Sequence, residues 1–434
     1  MADMRAIRRR RAIVLAIVLL LIAGGVAAIV LLATGGHDKA AGAAPAEDFD
    51  GTVYIESNVA ASNGNSILAF HYRAGSFKPL SLREYPTGGS GSADLTNSGL
   101  LDAEQQVVVN ADRTLLFAVN SGSDTIAVFH VAGDGTLTPV EGSPFAAGGR
   151  APASVGVSGD TLLVANKAED GVRDLSGSPS SYTSFKIAAD GKLTQTGPAI
   201  EVASVGGRPA SPTQAFAVPG KPLMVATEVQ GPWRVFQVHG DGTLQLAPGS
   251  PHPLDAQVFA PYKPRPRVWA QGITAHPTQP LLYASVANLR KLVVYSYDDQ
   301  GRLTLERQMP NTGSFLPCWT EINKAGTRLY TGNAGSDNIS VYDIGTDPRN
   351  PRQIQQVQLK TPGNAWNFEI EPSGRYLFML NMRAISAIPA GRGNTLHSFS
   401  IDADGKLSEM DSSPVQVPVP LKTNPWGLAI VPRR

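Results

Sequence analysis

Two glutamates repeat a local context: Glu321 in Trp319-Thr-Glu321 and Glu369 in Trp366-Asn-Phe-Glu369, 48 residues apart. Two carboxylates held at one height in neighbouring repeats can divide acid and base roles, provided burial separates their proton affinities. The competing reading is a pair of solvated carboxylates in a wet channel, matched by arginine. A third glutamate, Glu228, ends another apolar run, and Arg267 and Arg383 are cations placed to steady a developing oxyanion. Around them stand Trp269, Trp319, Trp366 and Trp426, each at or near the start of a strand-like run. They could form an aromatic rim for a planar or sugar-like ligand, or wedge one sheet against the next. Gln271 and Asn367 share those positions. Asn120 and Asn333 sit in Asn120-Ser-Gly-Ser-Asp124 and Asn333-Ala-Gly-Ser-Asp337, where turn chemistry competes with ligand binding as their purpose. His71, His130, His239 and His397 lie on or at the end of another strand of the repeat, as structural or exposed residues.

A recurring turn positions these groups. Glycines at 75, 135, 191, 242, 301 and 405 are separated by 60, 56, 51, 59 and 104 residues, and the last gap is twice the period. Four of the six turns read Asp-Gly, a hairpin signal because Gly accepts the positive φ that tight turns need. The missing turn falls in the degenerate loop Thr346-Asp-Pro-Arg-Asn-Pro. Seven strand-like runs precede these turns, from Ile67-Leu-Ala-Phe-His-Tyr through Leu292-Val-Val-Tyr-Ser-Tyr to Leu396-His-Ser-Phe-Ser-Ile. Seven copies of one unit at this period predict an all-β, seven-bladed β-propeller.

The chain ends sharpen that reading. Pro425-Trp-Gly-Leu-Ala-Ile-Val431 is an innermost strand with nothing after it, and Thr52-Val-Tyr-Ile is a second strand with nothing before it. Pairing the two would close the ring and leave no long edge open. Long insertions, at 85–104, 168–181, 252–266 and 382–394, all fall in the connections that share one face of a propeller, which makes that face the expected working surface.

The first 50 residues are of another kind. Residues 1–11 carry five arginines and form a basic tail expected to stay cytoplasmic. The uncharged run 12–33 is 22 residues long, enough for a spanning signal-anchor and longer than the 7–15 of a signal-peptide core. Cleavage near Ala41-Gly-Ala43 would instead release a secreted or periplasmic protein. Residues 34–50 read as a flexible linker, and 51–434 as the propeller, expected outside the cytoplasmic membrane. Without the five arginines and one aspartate of the tail, 32 basic residues face 35 acidic ones, so no nucleic-acid surface is expected. The single cysteine, Cys318, excludes an intramolecular disulfide and thiolate-rich metal sites. No HExxH, phosphate-binding P-loop or GxSxG motif is present, and neither metal nor cofactor is expected. A monomer with a small-molecule or glycan ligand is the expected working form.

The units Leu115-Leu-Phe-Ala-Val-Asn-Ser-Gly-Ser-Asp-Thr-Ile-Ala-Val-Phe-His-Val and Arg328-Leu-Tyr-Thr-Gly-Asn-Ala-Gly-Ser-Asp-Asn-Ile-Ser-Val-Tyr resemble the seven-bladed lactonase family. That family includes the propeller-type 6-phosphogluconolactonases and the carboxymuconate cyclases, and shades into the YVTN-repeat propellers. The resemblance spans roughly residues 51–432. It implies a hydrolase or isomerase of a cyclic ester, with no cofactor, working at the loop face of the channel. Family site positions that the resemblance expects as His, Glu and Arg hold Ala153 or Thr213, Ala287, and Ser121 or Ala334 here. Glu228, Arg150, Lys167, Arg267 and Arg383 are the substitutes within the same face. A glutamate, Glu228 or Glu321, is then the expected general base, and a non-catalytic extracytoplasmic binding propeller is the alternative.

Overall fold

The computed structural model describes residues 47–434, apart from 79, 93–102, 204–209, 230, 261, 263–267, 384–392 and 421. Seven antiparallel sheets follow one another along the chain, each with four main strands, here a to d from the axis outward. Blades 2, 3 and 7 each add a two-residue strand, at Phe145–Ala146, Ile200–Glu201 and Val415–Gln416. The expected closure is present: Val53 pairs with Ile430 and Tyr54 with Ala429, so the C-terminal strand Trp426–Pro432 is strand a of blade 1. The basic tail and the apolar run 12–33 lie outside the described residues. Among the described residues no helix is long and apolar enough to cross a membrane.

Each repeated turn joins strands c and d by the chemistry its sequence dictates. In blade 2 the Gly135 amide donates to the Ala132 carbonyl at 3.0 Å, with Gly135 at φ +76°. The Asp134 carboxylate accepts the Thr136 amide at 3.0 Å. The turn therefore needs glycine at its left-handed position and profits from an aspartate one residue earlier. Blades are also riveted to one another through these turns. Tyr54 donates its hydroxyl to the Gly135 carbonyl at 2.7 Å, Tyr283 to Pro348 at 2.6 Å, and Tyr330 to Gly405 at 2.8 Å. Each tyrosine sits on strand b of one blade and reaches the turn of the next, burying its ring while satisfying its hydroxyl.

Two features shape the axis. In six of the seven blades the pairing of strands a and b slips by a bulge, at the level of Thr213, Gly272, Trp319 and Asn367 among others. Bulges re-aim side chains, here those nearest the channel. Secondly, the connection into blade 2 dips into the channel. The Glu104 amide donates to the Thr213 carbonyl of blade 4 at 2.7 Å, and the Gln105 carbonyl accepts from the Val155 amide of blade 3 at 2.9 Å. Gln214 Nε2 donates to Gln105 Oε1 at 2.9 Å. This crossing stands between the loop-face mouth and the opposite end.

Candidate functional site

Below the crossing lies a cavity of about 230 Å³ whose wall includes Gln105, Trp319, Glu321, Phe368, Glu369 and Leu428. Glu321 is the fifth residue of strand a in blade 6 (Pro317–Ile322) and Glu369 the sixth in blade 7 (Asn364–Ile370). Both strands start at the loop face, so both carboxylates sit toward the far end, by the turns joining a to b. The structure thus brings the expected pair together but away from the loop-face mouth. Trp319, two residues before Glu321 on the same strand, forms part of the same wall, as alternation along a strand requires.

The electrostatics of the pair are unequal. Burial raises the proton affinity of Glu321 well above the carboxylate range, and the charge of Glu369 raises it further. Burial outweighs the Arg113 charge and the Ile430 amide, which act the other way, and leaves Glu369 pushed up to about 8. Glu369 is therefore the first of the two to ionise and Glu321 the one that keeps its proton, an arrangement suited to a base and an acid. Arg113 was not among the sequence candidates. It adopts φ +58° in the a–b turn of blade 2, at the position where the turns of blades 6 and 7 have Gly326 and Gly374 with φ +67° and +78°. An arginine in a place the repeat reserves for glycine was the available signal.

Glu228 has a different setting. It is fully buried on strand b of blade 4 (Leu223–Val229), ion-paired with Arg234 and accepting the Tyr182 hydroxyl at 3.2 Å. Its charge faces a partner across the hairpin instead of the cavity that holds Glu321 and Glu369. Of the arginines, Arg267 lies outside the described residues. Arg383 is partly buried, with its amide donating to Asn394 Oδ1 at 2.9 Å, away from both glutamates. Arg150 is ion-paired with Asp124 at 3.0 Å, and Lys167 is fully buried.

The remaining ligand candidates are interior. Trp366 and Trp426 are buried in the main apolar cluster, and Trp269 packs against it, so these three wedge blades instead of lining a mouth. Gln271 is buried, and its carbonyl accepts the Ser285 hydroxyl at 2.9 Å. Asn367 is buried and accepts the Gly427 amide at 3.0 Å. Asn120 accepts from Thr87 Oγ1 at 2.6 Å and Asn65 Nδ2 at 2.9 Å, while Asn333 donates to Asn338 Oδ1 at 2.8 Å. Both asparagines are fully buried ties between a hairpin and the preceding connection. The family positions Ala153, Thr213, Ala287, Ser121 and Ala334 are all buried, and the Ser121 hydroxyl is bound to the Pro152 carbonyl at 2.6 Å. Among the described residues no three His, Cys, Asp or Glu side chains gather to hold a metal ion.

Comparison with curated protein sequences gives no match. Among solved structures, a candidate 6-phosphogluconolactonase from Bacteroides uniformis superposes with a TM-score of 0.64 at 16% identity, covering 88% of this chain and 100% of the other. A periplasmic gluconolactonase from Pseudomonas aeruginosa gives 0.61 at 15% identity, covering 88% and 99%. At such identities the likeness carries the fold. Residues 185–368 match the family model described as lactonase, 7-bladed β-propeller, a stretch that holds Glu321 and stops one residue short of Glu369. That match covers less than half of the chain, and the seven closed blades agree with the fold its description names.

Proposed function

We propose that the protein hydrolyses a small lactone in the cavity at the turn end of the channel. The observation that carries this reading is the Glu321–Glu369 pair, two carboxylates in one cavity of which Glu369 gives up its proton before Glu321. Glu369 takes a proton from water as the water oxygen attacks the lactone carbonyl carbon. Glu321 then gives its proton to the departing ring oxygen, and the ring opens to a hydroxy acid. A cavity of about 230 Å³ is smaller than the roughly 300–1,000 Å³ of pockets for drug-sized ligands, so the substrate is a monocycle and not an oligosaccharide. The family match and a gluconolactonase among the fold relatives agree with a cyclic ester.

The test is turnover by the full chain across a panel of five- and six-membered lactones, beside Glu321→Gln and Glu369→Gln. Loss of about 10²–10⁴-fold in kcat/KM for each variant supports the reading. Variants as active as the parent, or a panel without turnover, overturn it. The second reading is a non-catalytic binding propeller, favoured by the uncharged residues at Ala153, Ala287 and Ala334. Ligand-dependent stabilisation without turnover would establish it.

We also infer a monomer tethered outside the cytoplasmic membrane. Five arginines before the run 12–33 support this topology, and the periplasmic Pseudomonas aeruginosa relative agrees with it. Mass spectrometry of the mature N-terminus decides between an anchor retaining residues 12–33 and a new terminus near Ala44.

A further inference from the structure

Blade 7 contains a chain of polar groups that its repeats lack. His397 is fully buried on strand c (Thr395–Ile401), and its Nδ1 lies 2.7 Å from Glu409 Oε1 on strand d. On the other side of the ring, Nε2 lies 3.2 Å from Thr361 Oγ1 and 3.0 Å from Thr395 Oγ1. Both threonines border a cavity of about 550 Å³, together with Lys360, Pro362, Gly393 and Gln416. Glu409 also accepts the Ser413 hydroxyl at 2.7 Å and the Lys360 amide at 2.8 Å. Burial raises its proton affinity, but the bonds from His397, Ser413 and Lys360 outweigh burial and leave it lowered. An ionised Glu409 accepts the hydrogen bond of Nδ1–H, which leaves Nε2 as an acceptor facing the two hydroxyls and, at 3.4 Å, the Asn381 amide.

The other six blades act as an internal control. Where blade 7 has His397, they carry Leu68, Ala127, Thr183, Arg234, Val293 and Ser340. Where Glu409 stands opposite Phe399, they carry Leu82, Pro139, Gln195, Leu246, Leu305 and Gln353. The propeller frame therefore requires neither residue, and their combination beside a cavity is particular to blade 7. A hydroxyl, an imidazole and a carboxylate in that order, with the hydroxyl on a cavity wall, form the arrangement that activates an oxygen nucleophile.

We propose that Thr361, His397 and Glu409 form a second site, separate from the channel, that hydrolyses small acyclic carboxylic esters through an acyl-threonine. Thr361 is the nucleophile, because it lies on the connection at the cavity edge, whereas Thr395 is almost wholly buried in its strand. Asn381 fixes that connection by donating to the Thr361 carbonyl at 3.1 Å. Thr361 Oγ1 attacks the ester carbonyl carbon and its proton passes to His397 Nε2. The tetrahedral adduct expels the alkoxide, which takes the proton from Nε2. Water then attacks the acyl-threonine by the same route, releasing the acid and restoring the hydroxyl.

The experiment treats the full chain with p-nitrophenyl acetate, follows nitrophenolate release and maps the acetyl group by peptide mass spectrometry. The expected result is a burst with the acetyl group on Thr361. Thr361→Ser retains the burst, and Thr361→Val slows it at least about 100-fold. No burst, an adduct on another residue, or an unaltered Thr361→Val burst would overturn the proposal. The adduct's position is independent of lactone turnover in the channel, so the two readings fail separately.

Discussion

Glu228 and Glu369 come from the same β repeat, yet Glu228 is fully buried against a counter-charge and Glu369, half-buried, lines a cavity beside a second carboxylate. Glu228 faces Arg234 and the Tyr182 hydroxyl within the wall between blades 3 and 4. Glu369 faces a cavity and a second carboxylate, with the Arg113 charge and the Ile430 amide to help it ionise. Both lose solvation, and the partner makes the difference. A full counter-charge favours the anion of a carboxylate, whereas loss of solvation without one raises its proton affinity.

The largest effect expected on this comparison comes from removing residues 425–434. Leu428 and Ala429 form part of the wall around the Glu321–Glu369 cavity, and their strand is the inner edge of blade 1. The truncated chain should lose its cooperative melt and aggregate through the exposed edge. An unchanged melting curve would show that closure contributes nothing.

Next in size is Glu228→Ala, which leaves Arg234 buried without its counter-charge and should cost about 3–5 kcal/mol in denaturant unfolding. Replacing both partners, Glu228→Leu with Arg234→Met, should recover most of that loss. If the single change costs less than about 1 kcal/mol, Glu228 is not the structural ion described here. Glu369→Gln should behave in the opposite way. The folded state holds Glu369 with a proton affinity raised to about 8, so the protonated form is favoured on folding. The stability this contributes is complete below the usual carboxylate range and is lost as pH rises through about 8. Unfolding free energy measured from pH 5 to 9 should fall along that range in the parent and fall less in Glu369→Gln. Equal slopes would remove the distinction between the two glutamates.

These contrasts follow how far the sequence could be read. The Asp-Gly turns and seven strand-c runs revealed the blades because a left-handed turn position and a strand period are local demands. The orphan strand around Trp426 revealed the closure for the same reason. Glu321 and Glu369 could be aligned because both follow a tryptophan on an inner strand. Their end of the channel was legible only once the descent of Glu104 and Gln105 into the axis was visible, since that depends on blades 3 and 4. Arg234 stands six residues after Glu228, but their contact depends on how the intervening connection turns back. His397 and Glu409 meet through the strand c to d register, which puts Glu409 opposite Phe399. Reading strand c alone makes His397 a solitary residue, and only the hairpin gives it a partner.

The central claim, that Glu369 is the base and Glu321 the acid, is tested most directly by the pH dependence of kcat/KM on whichever lactone turns over fastest. The parent should gain activity as pH rises toward about 8, where Glu369 ionises, and lose it again at higher pH as Glu321 gives up its proton. Glu369→Gln should lack the rising limb as well as most of the activity. A parent profile that is flat from pH 6 to 9, or a rising limb that survives in Glu369→Gln, would contradict the assignment.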